Sequence, residues 1–186
     1  KCFYGYNISH IAQVAPLAGA WIEINLQRKK AYATIRDIAI ELGYLPEEMK
    51  EIMKCNYMIE TGEPYFSLSD CSMGTARDFI TFLMDFVLKE GIQLSDSGIE
   101  RADDVGKYLY ACIKHRKCAV CGKDGEIHHV DTIGMGNDRR RVDDSGYRKI
   151  CLCRTHHTIA HQRGMPSFEK MYHVYGIIVD DSPEGK

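Results

Sequence analysis

Two short pairs of metal-ligand residues constrain this chain more than any other feature: Cys118-Ala119-Val120-Cys121 and Cys153-Arg154-Thr155-His156. Each puts two soft donors within one tight turn, and together they supply the four ligands that tetrahedral zinc prefers. A fold that uses them must bring the two segments face to face. Cys151 competes for the same role. In a strand Ile150-Cys151-Leu152-Cys153 it shares a face with Cys153, so spacing alone leaves both open, and the Cys-x2-His turn favours Cys153. Of the eight cysteines, four crowd into this one histidine-rich stretch. That distribution favours metal over a disulfide framework, and with it a reducing cytosol. Cys2, Cys55, Cys71 and Cys112 sit among apolar or helical neighbours and are expected to be buried free thiols.

Between the two pairs lies Glu126-Ile127-His128-His129-Val130-Asp131, a short run of strand character. Adjacent histidines on a strand project to opposite faces, so one can bind metal while the other stays free. Beyond Cys153, His157 and His161 stand four residues apart, which puts both imidazoles on one face of a helix. Five histidines within 128–161, bracketed by cysteines, make metal binding the expected use of this segment. The charge follows the same division. Residues 1–110 carry 11 basic and 16 acidic side chains, whereas Lys114 to Arg163 carries 11 against 6, a net of +5 suited to a polyanion such as nucleic acid. Gly134-Met135-Gly136-Asn137-Asp138-Arg139-Arg140-Arg141 is expected to be a loop whose three guanidiniums grip backbone phosphates without reading bases.

The remainder is helical in pattern. Ala31, Ile35, Ile38, Ala39 and Leu42 keep helical spacing until Gly43, and Pro46 with Glu47 and Glu48 opens a second helix carrying Met49, Ile52 and Met53 and ending before Gly62. Ser72 or Thr75 caps a third, with Phe79, Ile80, Leu83, Phe86 and Val87 inward and Gly91 as its stop. A fourth is expected over 98–113 and a closing helix over 164–176. Arg28, Lys29 and Lys30 are more simply a solvated face than a phosphate contact. The first 25 residues stand apart. Ala18-Gly19-Ala20 imitates an export cleavage site, but Pro16 and the preceding polar residues make a poor export signal. Val14 to Ile24 resembles the in-frame translation of a palindromic CRISPR repeat, which implies that residues 1–25 are a non-native leader. No apolar run approaches the roughly 20 residues needed to cross a bilayer, so no membrane association is expected.

From Cys118 to His161 the pattern resembles the HNH endonuclease family, and more closely its phage branch. The resemblance implies a ββα-metal fold in which His129 is the general base that activates water and His128, His157 and His161 hold a catalytic divalent ion (Mg²⁺, Mn²⁺, Ni²⁺ or Zn²⁺). Cys118, Cys121, Cys153 and His156 then carry structural zinc. One departure is plain: nine residues before His157, where the family has the asparagine of its name, this chain has Arg148. Arg148, Lys149 and Arg154 join Arg139, Arg140 and Arg141 as expected DNA contacts. Residues 26–97, with Gln27-Arg28-Lys29-Lys30-Ala31-Tyr32-Ala33 and Ser67-Leu68-Ser69, are similar in layout to the phage Orf/NinB recombination proteins, which implies single-strand-binding protein or a recombinase as partner.

The expected fold class is α+β: a leader over 1–25, a mostly helical Orf/NinB-like region over 26–110, and a zinc-stabilised HNH domain over 111–186. The expected function is metal-dependent endonucleolytic hydrolysis of DNA in phage recombination or processing, in the cytoplasm of a bacterial host and with a homodimer suited to cutting two strands. A non-catalytic zinc-containing DNA-binding accessory protein and an RNA-directed nuclease are the alternatives. His129 favours catalysis, because a binding module has no need of it, whereas Arg148 argues for altered loop geometry.

Overall fold

The computed structural model describes residues 8–131 and 146–179, with side chains described from Asn25 onward. Helix α1 (Ile8–Leu42) continues unbroken through the expected join at Leu26. Its Ala31, Ile35, Ile38 and Ala39 are buried, while Leu42, the last of the pattern, is exposed. Gly43 ends the helix at φ +76°, the left-handed conformation that only glycine takes without strain.

Helix α2 (Pro46–Thr61) buries Met49, Met53 and Tyr57, one residue per turn. Ile52 and Cys55 lie off that stripe and are exposed, so burial fails for Cys55; Cys71 is half-buried and Cys112 fully buried. Helix α3 (Met73–Glu90) starts where the Ser72 hydroxyl accepts the Thr75 N–H at 3.0 Å and buries Phe79, Ile80, Leu83 and Val87. Tyr57, Phe66, Phe79 and Phe82 meet edge to face or stacked at 5.2–6.2 Å between ring centres, joining α2 to α3.

The expected fourth helix is two, α4 (Gly98–Arg101) and α5 (Val105–Lys114). The break has a cause. The Asp104 carboxylate accepts the Lys107 N–H to start α5 afresh, while Asp103 turns inward to accept from Gln27 Nε2 (2.8 Å) and Arg77 Nε (3.0 Å). Arg101, 5% exposed, joins α4 to α1 through Asp37 (3.3 Å) and to Asp96 (2.7 Å).

Three strands follow among the described residues: β1 (Glu126–His129), β2 (Arg148–Leu152) and β3 (Ile177–Ile178), antiparallel in that order. Glu126 pairs with Leu152 and His129 with Lys149. Helix α6 (Arg154–Arg163) leaves β2 directly, so β1, β2 and α6 form a ββα unit, and α7 (Met165–Tyr172) folds back on α6. The closing helix stops early because His173 takes φ +55° and the chain enters β3. Gly176 permits that return, since a Cβ there would meet Val130 at 2.5 Å and Arg148 at 3.0 Å.

The apolar core runs continuously from Ala31 on α1 to Val174. Helix α5 spans the 110/111 division expected from sequence; it packs on α3 and on β2, which seats the ββα unit against the helices. Among the described residues no helix is long and apolar enough to cross a membrane.

Candidate metal and active site

The Cys-x2-Cys segment is a tight turn. The Gly122 N–H donates to the Cys118 carbonyl (2.9 Å), Cys118 N–H to Lys123 O (2.7 Å), and Gly122 takes φ +69°. The turn is fixed to the rest of the protein by Ala119 N–H on Cys151 O (2.9 Å) and by the buried Tyr108 hydroxyl on Ala119 O (3.1 Å). Opposite it, Cys153 is the residue from which α6 starts, and the His157 N–H donates to its carbonyl.

This brings Cys118, Cys121, Cys153 and His156 together, with all four ligand atoms within 4.8 Å of one another. Cys121 Sγ and Cys153 Sγ are 3.7 Å apart, and His156 Nδ1 is 3.4 Å from Cys118 Sγ and 3.2 Å from Cys153 Sγ. A zinc tetrahedron with bonds of about 2.3 Å to sulfur and about 2.0–2.1 Å to nitrogen has edges of roughly 3.5–3.8 Å. The donor set and its spacing therefore fit zinc. Cys151, equally buried, lies outside the group. Burial pushes its thiol up to about 11. Burial also acts upward on Cys153, yet the His156 and Thr155 backbone N–H groups and the Cys121 and Cys118 thiols outweigh it, and the net shift is downward. The imidazole of His156 is packed by Tyr172 and Phe168 at ring distances of 5.2 and 6.4 Å, which gives α7 its structural purpose.

The other face of α6 builds a second group. His157 and His161 stand over β1 and meet His128, with the three ring centres 4.7–4.9 Å apart and all three ligand nitrogens within 4.8 Å. The Nε2 atoms of His157 and His161 are 3.0 Å apart. Burial, then the neighbouring His157, His161 and His129, pushes His128 down to about 4. His157 is lowered as well, by burial and then by His161. Both are thus neutral near pH 7, with a lone pair available to a cation. The group is graded in exposure: His128 buried, His157 half-buried, His161 exposed. An open cleft of about 390 Å³ lined by Arg154, His157, Thr158, His161 and Gln162 leads to it. Three nitrogen ligands with one open side leave room for water and a substrate oxygen.

His129 ends β1 on the face opposite to His128, half-buried. Arg154 is exposed at the cleft, and Lys149, in β2, is 5% exposed. Arg148 is occupied: its Nη2 donates to Asp131 Oδ1 at 2.7 Å, its Nε to the same carboxylate at 3.1 and 3.3 Å, and its backbone N–H to Asp131 Oδ2 at 2.8 Å. Arg139, Arg140 and Arg141 lie outside the described residues. Sequence reasoning gave Asp131 no role. The available signal was an acid just after the histidine pair and a cation at the start of the returning strand.

No curated protein and no solved structure matches this chain significantly. A family model described as "Putative HNHc nuclease" matches residues 5–184, nearly the whole chain, and the protein belongs to that HNH nuclease family.

Proposed function

We propose that this protein is a metal-dependent endonuclease that hydrolyses DNA phosphodiester bonds. The observation that carries this reading is the convergence of His128, His157 and His161 at an open cleft, with His129 adjoining on β1, beside a separate Cys118, Cys121, Cys153 and His156 zinc group. A binding module needs only the Cys/His group. The division of labour on α6 supports the reading: His156 meets Cys118, Cys121 and Cys153, while His157 and His161 meet His128 on β1.

In this reading His128, His157 and His161 hold a divalent ion, whose chemistry is to neutralise the charge that develops on the phosphate oxygens and leaving group. His129 accepts the proton from the attacking water through a ring nitrogen, a task suited to an imidazole and worth about 10²- to 10⁴-fold in rate. Arg154, at the rim of the cleft, and the Arg139 to Arg141 run hold the backbone of the substrate without reading bases. Cys118, Cys121, Cys153 and His156 hold structural zinc, which fixes the start of α6 and so the positions of His157 and His161.

The test is nicking of supercoiled plasmid and of single strands by zinc-loaded protein with Mg²⁺, Mn²⁺ or Ni²⁺. Cleavage that EDTA abolishes is the expected result. A folded, zinc-loaded protein that cuts neither form with any of these metals would leave a DNA-binding zinc protein instead.

A further inference from the structure

We infer that the Asp131–Arg148 pair is a clamp that positions His129 for catalysis, and that Arg148 acts through it rather than on the phosphate of the substrate. The inference rests on the nuclease reading. Asp131 follows His129 by two residues, and Arg148 begins β2, one residue before Lys149, the register partner of His129. Where the β1–β2 ladder ends, the Val130 N–H donates to the Arg148 carbonyl at 2.8 Å. Beyond that point the side chain of Asp131 takes over. Its carboxylate accepts the Arg148 backbone N–H at 2.8 Å and the guanidinium through both Nε and Nη2. Just past the ladder, Asp131 and Arg148, 17 positions apart in sequence, thereby fasten β1 to the start of β2, two residues from His129.

The geometry argues for position over substrate contact. A bidentate pair fixes direction as well as distance, and the Nε/Nη2 edge of Arg148 is already engaged by Asp131. The pair is roughly neutral as a unit, so it adds little attraction for a polyanion. It lies at the surface, with Arg148 47% and Asp131 34% exposed, where an ion pair contributes little to stability. Its value lies in holding a reacting group, since sites loosened by a fraction of an ångström lose rate. β3 supports it from the other edge: Arg148 pairs with Ile178, and Gly176 lets the backbone pass close to Arg148 and Val130. This also gives Arg148 a purpose at the place where the family has asparagine.

The experiment compares wild type with Asp131→Ala, Arg148→Ala and the double variant, all zinc-loaded, in steady-state cleavage of DNA. Each single substitution is expected to lower kcat by about 10- to 100-fold, as loss of a supporting hydrogen bond at a site does, with KM for DNA nearly unchanged. The double variant is expected to be no worse than either single one, because the two act as a unit. Asp131→Asn, which keeps an acceptor for the Arg148 N–H, should fall between. Amide exchange supplies a readout independent of activity: the Val130 N–H should lose protection in Asp131→Ala and keep it in Asp131→Asn. A raised KM with intact kcat in Arg148→Ala, together with undiminished cleavage by Asp131→Ala, would make Arg148 a phosphate contact and overturn the clamp. Unchanged Val130 protection in Asp131→Ala would overturn it as well. A wild type that cleaves no DNA overturns the nuclease reading itself and the role of the pair with it, an outcome distinct from a cleaving wild type whose variants cleave equally well.

Discussion

Cys151 in β2 and Cys153, just past its end, are buried thiols two residues apart, and only Cys153 belongs to the Cys/His group with metal-ligand spacing. Replacing each by alanine should therefore have very different consequences. Structural zinc binds with about 10–16 kcal/mol in small domains, so each of four ligands contributes on the order of 2.5–4 kcal/mol, or about 10²- to 10³-fold in affinity. Cys153→Ala should lose that much, and because Cys153 also starts α6, the helix carrying His156, His157 and His161 should loosen with it. Cys151→Ala removes one sulfur packed in the core and should cost about 1 kcal/mol with zinc retained one to one. Competition with a chromogenic chelator measures the zinc affinity of both variants. Cobalt substitution adds a second readout: the sulfur-to-metal absorption should persist at full strength in Cys151→Ala and fall in Cys153→Ala. Weakened metal binding in Cys151→Ala with normal binding in Cys153→Ala would refute the assignment.

Other expectations follow from the same geometry. His128 is held at about 4 against an ordinary 6.5, so the neutral ring is the one the fold favours; stability is full above 6.5 and falls as pH drops toward 4. In zinc-loaded protein with no second ion, this amounts to about 2 kcal/mol between roughly pH 7 and roughly pH 5, and urea denaturation of His128→Gln should lack that component. Asp85 receives bonds from His115 (2.9 Å) and Lys114 (3.1 Å) across α3 and α5. Burial acts upward on its carboxyl, but these partners outweigh it and the net shift is downward, so its contribution is present above the ordinary carboxylate range and disappears in acid. At 35% exposure, Asp85→Asn should cost no more than about 1 kcal/mol near neutrality, read from the denaturation midpoint. Phe79, fully buried among Tyr57, Phe66 and Phe82, is a larger case: Phe79→Ala should cost about 3–5 kcal/mol by the same measurement.

Much of this molecule was legible from residue spacing because its signals are local. The stops at Gly43, Gly62 and Gly91 depend on a left-handed backbone that few residues adopt, the cap at Ser72 on a hydroxyl that accepts the Thr75 N–H, and each falls where spacing puts it. The expectation that Cys-x2-Cys meets Cys-x2-His and that His157 and His161 share a helix face follows from ligand chemistry and helical period, which act over a few residues, whereas the choice of His128 over His129 as their partner came from the family resemblance. What was hidden depends on tertiary partners. The split between α4 and α5 turns on Asp103 facing Gln27 and Arg77, residues 76 and 26 positions away. β3 is two residues long and exists because Gly176 lets it reach β2. The burial of Lys149 and the capture of Arg148 by Asp131 likewise depend on register, which charge composition does not report. The choice between Cys151 and Cys153 was open for the same reason.

Single-turnover DNA cleavage by His129→Ala, with its zinc content verified, tests the proposed role of His129 as the base at a metal-dependent phosphodiesterase site. With His129 as the base, the rate should be lower by about 10²- to 10⁴-fold, with DNA affinity and divalent-ion binding at His128, His157 and His161 retained. Cleavage at the wild-type rate by that variant would contradict that role.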